Sequence, residues 1–275
     1  MSAAGDLAAM PPAAPRPLAE ADLSRVRVLL ADVDGTLTTG GLLRGRSVRA
    51  LERLRRARVK VVLVTGRPSG WAECWARTLP VCGVVAENGG LSLAPDGEGG
   101  WRREYAERPR QRARNRRRLI REVRRVLRMV KGARLSSDSV STEVDLAIDY
   151  AEQASLPVSA ARWIGEELAR RGVRSARSSV HVNCWIGPFD KLSASDRFLR
   201  RELRIAAGAR SPQVAYVGDS INDAPMFAAV PLSVGVANVV DVMDELPSPP
   251  RFITRAREGQ GFEELAAALL EARAR

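Results

Sequence analysis

The chain has 275 residues, 45% of them hydrophobic, with 44 Lys+Arg against 32 Asp+Glu and a single histidine, for a formal net charge of +12. That apolar content is enough to bury a core and excludes a wholly disordered chain, while the lack of any run of about 18 apolar residues excludes a transmembrane helix. The basicity is local: between Trp101 and Arg134 stand 14 Arg and 1 Lys against Glu104, Glu107 and Glu122, a surplus equal to that of the whole chain, so the remaining residues sum to zero.

Residues 1–24 are rich in Ala and Pro, carry Asp6, Glu20 and Asp22, and lack a basic start and a continuous apolar stretch; they read as a flexible leader rather than a secretion signal. From Val28 an apolar run, long enough for a buried parallel strand, stops at Asp32 and Asp34, and Gly35 lets the backbone turn away. Two carboxylates thus stand at the carboxyl end of a central strand, the edge at which doubly wound sheets bind ligands. The two-residue period places Asp32 and Asp34 on one side of the chain.

Ser47 is expected to cap a helix carrying Val48, Leu51 and Leu54 on one face. Val59 to Val64 is a second strand, ending in Thr65-Gly66-Arg67-Pro68 before a helix at 69–78. A threonine hydroxyl and free amides at such a helix start form a phosphate cradle. Val81 to Ala86 is a third strand, closed by Glu87-Asn88-Gly89-Gly90. Strands and helices alternating in this way imply right-handed parallel crossovers.

The rhythm then breaks. Leu91 to Trp101 reads as a short strand with a Gly-rich turn, followed by an amphipathic helix in which Leu119, Ile120, Val123, Val126, Leu127 and Val130 recur at helical spacing under an arginine coat. Thr142 to Tyr150 alternates as a one-sided strand, with partners at Val173 to Arg177 and Ser179 to Trp185 and a helix over 159–171 between them. This block is of α+β type and reads as an inserted domain at 92–187.

From Pro188 the first rhythm resumes. Lys191 opens a helix with Leu192, Phe198, Leu199 and Leu203, and Val214 to Val217 is a buried strand ending in Gly218-Asp219-Ser220-Ile221-Asn222-Asp223. Strands at Pro231 to Val236 and Arg251 to Thr254 and a helix from Phe262 to Ala272 complete the chain. The expected fold is an α/β, doubly wound (Rossmann-like) parallel-sheet core built from 25–91 and 188–275, with an α+β cap inserted at 92–187.

Cys74, Cys82 and Cys184 form no close metal-ligand pair and, being odd in number, cannot all be disulfide-bonded; they read as reduced thiols packed as small hydrophobes in a cytoplasmic protein. The lone His181 leaves no room for a histidine metal site and reads as a strand packing residue. Nothing in the sequence sets an oligomeric state.

Four motifs in order resemble those of the haloacid dehalogenase superfamily of phosphotransferases: Asp32-x-Asp34-Gly35-Thr36, Thr65-Gly66-Arg67, Lys191, and Gly218-Asp219-Ser220-x-Asn222-Asp223. The place and size of the insertion, with Glu87-Asn88-Gly89, resemble the branch with a large C2-type cap, which includes the Cof-like, sucrose-phosphate and mannosylphosphoglycerate phosphatases. The resemblance implies that Asp32 attacks phosphorus to form an aspartyl phosphate while Asp34 protonates the leaving oxygen and then activates water. It implies Mg²⁺ held by Asp32, the backbone carbonyl of Asp34, and Asp219, with Asp223 as a further ligand or support. Thr65, Gly66 and Lys191 would bind the phosphate, and Asn88 and Asn222 would touch substrate.

The function so implied is a Mg²⁺-dependent phosphomonoesterase acting on a small phosphorylated metabolite of sugar phosphate or phosphoglycerate type. A second reading is a hexose phosphomutase, because Asp32 to Thr38 and Gly187-Pro-Phe-Asp-Lys191 are similar to the phosphomannomutases; Thr65-Gly66-Arg67 departs from the Gly-Gly-Ser usual there. A third is an anion- or RNA-binding protein using the arginine-rich segment. Nucleic acid ranks low as a partner because only Trp101 and Tyr105 supply stacking surface in that segment.

Overall fold

The structure is a computed structural model that describes residues 14–178 and 180–274. The chain opens with β1 (Arg16–Pro17) and continues through β2 (Val28–Ala31), α1 (Gly45–Arg56), β3 (Lys60–Val64), α2 (Ser69–Thr78) and β4 (Gly83–Ala86). After β5 (Leu91–Pro95) and β6 (Trp101–Tyr105) come α3 (Pro109–Leu127), β7 (Arg134–Leu135), β8 (Leu146–Asp149), α4 (Val158–Arg170), β9 (Arg174–Arg177) and β10 (His181–Trp185). The last part comprises α5 (Lys191–Arg201), β11 (Val214–Gly218), α6 (Ala224–Ala229), β12 (Leu232–Gly235), β13 (Phe252–Ile253) and α7 (Glu258–Ala274).

Nine strands form one sheet in the order β1-β13-β12-β11-β2-β3-β4-β5-β6, parallel from β1 to β4 and antiparallel at β5 and β6. The chain winds outward from β2 through β3 to β4, and later from β11 through β12 to β13 in the other direction. The order therefore reverses between β2 and β11, and a crevice opens at their carboxyl ends. Alternate residues of the central strands feed opposite layers. Leu29 and Leu63 pack with Leu51 of α1, Trp75 of α2 and Phe262 of α7, whereas Leu30 and Val62 pack with Phe198 of α5 and Phe227 of α6. Each fully buried side chain of this kind contributes about 1.5–3 kcal/mol, so the strands that carry the site are pinned on both faces.

A second sheet, antiparallel in the order β7-β8-β10-β9, forms the cap. One face packs Leu146, Ile148, Val182 and Cys184 against Leu119, Val123 and Val126 of α3 and Ile164 and Leu168 of α4. Strand alternation turns Ala147, His181 and Asn183 the other way, toward the crevice. Several arginines of α3 are tied down: within the cap Arg116 donates to Thr142 Oγ1 at 2.7 Å and Arg121 and Arg125 pair with Glu122, while the Arg112 guanidinium lies 3.4 Å from the centre of the Tyr105 ring on core strand β6.

Several expectations are corrected. Residues 1–13 of the leader lie outside the described residues, but Arg16–Pro17 pairs with Phe252–Ile253, and Leu18 and Leu23 are buried, so 16–23 belong to the core. The strands at 91–95 and 101–105 extend the core sheet instead of opening the cap; an antiparallel hairpin reads alike from sequence whichever sheet it joins. The helix α1 begins at Gly45 and makes no side-chain cap, leaving Ser47 inside its first turn. Cys184 is buried, Cys82 half-buried with burial pushing its thiol up to about 12, but Cys74 is exposed. Among the described residues no helix is long and apolar enough to cross a membrane.

Candidate active site

At the end of β2 the chain turns through Gly35, whose φ of +71° is left-handed and whose missing Cβ would lie 2.4 Å from Asp219 Oδ2. Only glycine lets this turn touch the loop after β11. Asp219 Oδ1 accepts from Thr36 Oγ1 at 3.2 Å and its Oδ2 from Asn238 Nδ2 at 2.9 Å; the same Asn238 amide donates to the Gly35 carbonyl at 3.0 Å. Oxygens of Asp32, Asp219 and Asp223 lie within 4.8 Å of one another, and all three residues are buried.

Lys191, at the start of α5, puts its Nζ 2.7 Å from Asp32 Oδ1, 2.7 Å from Asp223 Oδ1 and 3.3 Å from Asn222 Oδ1. Burial would push this ammonium toward neutrality, but the carboxylates of Asp223 and Asp32 more than reverse that and hold it charged. Burial also raises the Asp32 carboxyl to about 7 against the pull of Lys191, and raises Asp219 strongly with the neighbouring Asp32 and Asp223 charges adding to the effect. One ammonium thus faces three buried carboxylates. The surplus of buried negative charge, offered by oxygen alone, suits a hard divalent cation.

Within this cluster the carboxylates differ. Both oxygens of Asp223 are already engaged: Oδ1 accepts from Lys191 and from the Tyr216 hydroxyl, and Oδ2 accepts the backbone N–H groups of Asp219 and Ser220 at 3.0 and 3.1 Å. Its bonding fits a support that fixes the loop and the lysine. Asp32 Oδ2 makes no hydrogen bond among the described residues.

Thr65 directly follows β3 beside Asp32 in the crevice, its Oγ1 accepting the Arg67 N–H at 3.0 Å and its hydroxyl proton left to donate. Gly66 is open on its Cβ side only as far as Asn183 Nδ2, which such a carbon would approach to 2.8 Å. Asn88 is tied to the cap, its Nδ2 donating to Asp145 Oδ2 at 2.8 Å, and its amide also lies beside Gly66. Asn222 reaches Lys191 and Ser220 through its Oδ1 and lines the crevice.

Asp34 is placed in an unexpected grip. Arg67 Nε donates to its Oδ2 and Arg67 Nη2 to its Oδ1, both at 2.9 Å. Glu87, read from the sequence only as part of a turn, is fully buried and accepts backbone N–H groups from Ser69, Glu143, Val144 and Asp145, which fastens the entry of the cap strand to the core.

The segment 29–99 matches the family model of haloacid dehalogenase-like hydrolases. Over 242 residues the chain is 32% identical to a phosphoglycolate phosphatase of Pyrobaculum neutrophilum, an alignment covering 86% of this chain and 93% of that one. The chain belongs to the haloacid dehalogenase superfamily. It is a phosphatase of the branch with a large inserted cap. Solved structures share the fold: the C-terminal domain of the Candida albicans trehalose-6-phosphate phosphatase has a TM-score of 0.68 at 17% identity, covering 94% of this chain and 98% of that one. The Synechocystis sucrose-phosphatase has a TM-score of 0.62 at 16% identity, covering 88% and 97%.

In this haloacid dehalogenase phosphatase the cap sheet roofs the crevice. Ala147, His181 and Asn183 face Asp32, Asp34, Thr65 and Gly66 across a narrow space of about 20 Å³. His181, read from the sequence as a packing residue, instead lines this space and meets Glu152 Oε2 through Nε2 at 2.9 Å. Asn183 is buried and its amide nitrogen lies against Gly66. Beyond Asn88, Lys191 and Asn222 lies a second chamber of about 430 Å³, walled by Arg174, Trp185 and Ile221. Arg67 stood inside a motif the sequence displays; Asn238, Asp138 and Glu152 carried no sequence signal.

Proposed function

We propose that this phosphatase is a Mg²⁺-dependent phosphomonoesterase for small phosphorylated acids of the phosphoglycolate kind, working through an aspartyl phosphate on Asp32. The observation that carries the reading is the contact of Lys191 Nζ with Asp32 Oδ1 at 2.7 Å beside the Asp219 carboxylate, at the point where the strand order reverses. Two matched relatives, from Pyrobaculum neutrophilum and Archaeoglobus fulgidus, are named phosphoglycolate phosphatase, at 32% and 27% identity.

The chemistry assigns each side chain a task. Lys191 occupies Oδ1 of Asp32 and leaves Oδ2 to attack phosphorus. As the Asp32–phosphorus bond forms, the ester P–O bond breaks and the departing oxygen takes a proton from the Asp34 carboxyl. Asp34 then removes a proton from the water that attacks the aspartyl phosphate, and Asp32 is released. Lys191 and the Thr65 hydroxyl hold the phosphate oxygens, with the Gly66 backbone beside them. Asp32, Asp219 and the Asp34 carbonyl would hold Mg²⁺, with Asp223 in support; when bound, the ion neutralises the oxygens of the transferring group. Asn183 and His181, which line the same crevice, would meet the leaving group. The free thiols Cys74, Cys82 and Cys184 fit a reducing, cytoplasmic setting.

The test is phosphate release with Mg²⁺ from 2-phosphoglycolate, sucrose phosphate, trehalose phosphate and p-nitrophenyl phosphate, alongside isomerisation of hexose 1-phosphates. The expected result is the highest kcat/KM for phosphoglycolate, abolished in Asp32→Asn. A higher value for a disaccharide phosphate, or isomerisation without net phosphate release, would overturn the reading.

A further inference from the structure

The outer face of α3 carries cations that serve neither the fold nor the catalytic cluster. Arg110, Arg114, Arg117, Arg121, Arg124 and Arg128 follow one another at steps of four and three, so they form a single line along the helix, and all of them are exposed. Arg118 and Arg125, also exposed, stand beside that line. Among the described residues, Arg110, Arg117, Arg124 and Arg128 have no side-chain hydrogen bond or ion pair. Like charges three and four positions apart repel, and cations at a helix start oppose the helix dipole. The first turn of α3 holds Arg110 and no acid, and its N-cap, Arg108, makes no side-chain capping bond. The line therefore weakens the helix that bears it, and an anion brought from outside would offset the repulsion.

We propose that this face is a docking surface for double-stranded DNA, held through its phosphates without regard to base sequence. The helix has 19 residues, about 28 Å in length, and its exposed arginines fan about a third of the way around it. With arginine arms on both edges, that band matches the major groove of B-DNA, about 12 Å wide, and reaches phosphates of both strands. The excess charge is one helix wide: on α4, which packs on the same face of the cap sheet, Arg170 pairs with Glu166 and Glu167, and Arg162 with Glu245 of the core. A plane of lipid headgroups would meet that balanced ground as well as the line, and the line offers no apolar anchor to the membrane. A protein partner would want an aromatic or aliphatic anchor, and a single strand would want rings for its bases to stack on. Duplex RNA displays 2′-hydroxyls in its accessible groove, and a row of donors has nothing to accept from them. The phosphates of a DNA duplex ask only for cations. Because α3 packs on one face of the cap sheet while Ala147, His181 and Asn183 stand on the other, DNA seated on α3 leaves the crevice open.

In the experiment the full chain is titrated into a labelled DNA duplex of about 20 base pairs at several salt concentrations and followed by fluorescence anisotropy. A duplex RNA and a single strand of the same sequence, and phosphatidylserine–phosphatidylcholine vesicles, are titrated in parallel. If about five arginines each neutralise a phosphate, log K falls against log[salt] with a slope of about −4 to −5, a loss of several hundredfold between about 50 and 200 mM. The variant Arg110→Gln/Arg117→Gln/Arg124→Gln is expected to bind more weakly at the lowest salt and to make that slope shallower by about 2–3. The variant Arg46→Gln/Arg49→Gln/Arg53→Gln removes equal charge from the exposed face of α1 and is expected to keep the wild-type slope. A melting temperature no lower than wild type is expected for the α3 variant, which sheds like charges from one helix face and keeps its fold. The proposal is overturned by absence of binding at about 50 mM salt, by a wild-type slope in the α3 variant, or by an equal change of slope in the α1 variant. Binding to duplex RNA, to the single strand or to the vesicles as tight as to duplex DNA overturns it as well.

Discussion

Lys191 Nζ is 2.7 Å from Oδ1 of Asp32, a contact made across 159 positions of sequence and hidden from solvent on both sides. The same ammonium reaches Asp223, so it lies between two buried carboxylates and pulls against the burial that raises Asp32. Removing it leaves those charges uncompensated in the interior, a change that typically costs about 3–5 kcal/mol. Lys191→Met is therefore expected to lower the melting temperature and to reduce kcat by about 100-fold or more. Asp32→Asn removes one of the crowded negative charges instead, and is expected to abolish turnover with a melting temperature no lower than wild type. Calorimetry of both variants, with phosphate release, checks the pair of opposite signs; a large destabilisation by Asp32→Asn would contradict the charge argument.

A second buried pair predicts a dependence on pH. Burial pushes both Glu87 and Asp145 up. Glu87 is offset by four backbone N–H donors, while Asp145 has the Asn88 amide on Oδ2 and no partner on Oδ1, so the proton rests on Asp145. A carboxyl whose folded pKa lies above its unfolded value stabilises the fold fully at pH below that unfolded value of about 3.9, and the contribution is lost as pH rises through the raised value. Asp145→Asn mimics the protonated form at every pH. The melting temperature of the variant relative to wild type is expected to climb as pH rises from about 4 to about 9. A constant difference would show that Asp145 is ionised throughout.

Gly35 separates strain from collision. Gly35 and Gly41 both have left-handed backbones, with φ of +71° and +74°, but an added Cβ at Gly41 meets nothing within 4 Å whereas at Gly35 it falls 2.4 Å from Asp219 Oδ2. Gly41→Ala is expected to cost only the conformational term, about 1–2 kcal/mol, with kcat/KM near wild type. Gly35→Ala carries the same term and in addition pushes Asp219 off Asn238 and Thr36, so kcat/KM is expected to fall by about 100-fold or more. Parallel losses of activity in both variants would mean that the Asp219 contact is unimportant.

Residues displayed at strand ends were legible because strand and motif coincide. Asp32, Asp219 and Lys191 each follow or precede an apolar run whose length and order dictate a parallel sheet, and the sheet brings them to one edge. What stayed hidden depends on contacts between segments with no mutual pattern. Nothing local to Asp138 or Glu152 marks them as partners of Arg67, and nothing local to Asn238 marks it as a partner of Asp219. His181 was misread because a strand residue in a one-sided sheet looks the same whether its outer face meets water or a roofed crevice. The strand read at Leu91 to Trp101 was assigned to the insertion for a related reason, since a short strand and turn do not name the sheet they join; it forms a hairpin with 101–105 on the core sheet.

The crowding of Asp32, Asp219 and Asp223 about one lysine makes a prediction about metal removal that does not depend on turnover. A protein whose interior holds more negative than positive charge is destabilised by that surplus, and a divalent cation that binds only the folded form adds RT ln(1 + [L]/Kd), about 2.7 kcal/mol at 100 times Kd. For a chain of this size that corresponds to a rise of roughly 5–10 °C in melting temperature. Chelation is expected to abolish phosphate release and to lower the melting temperature reversibly, and Mg²⁺ to restore both. Asp219→Asn keeps the shape of the site but removes one charge, so it is expected to raise the melting temperature of the chelated protein and to blunt the response to Mg²⁺. Calorimetric scans with and without Mg²⁺ check both signs at once. If Asp219→Asn responds to Mg²⁺ as wild type does, the ion is held elsewhere and Asp219 is not among its ligands.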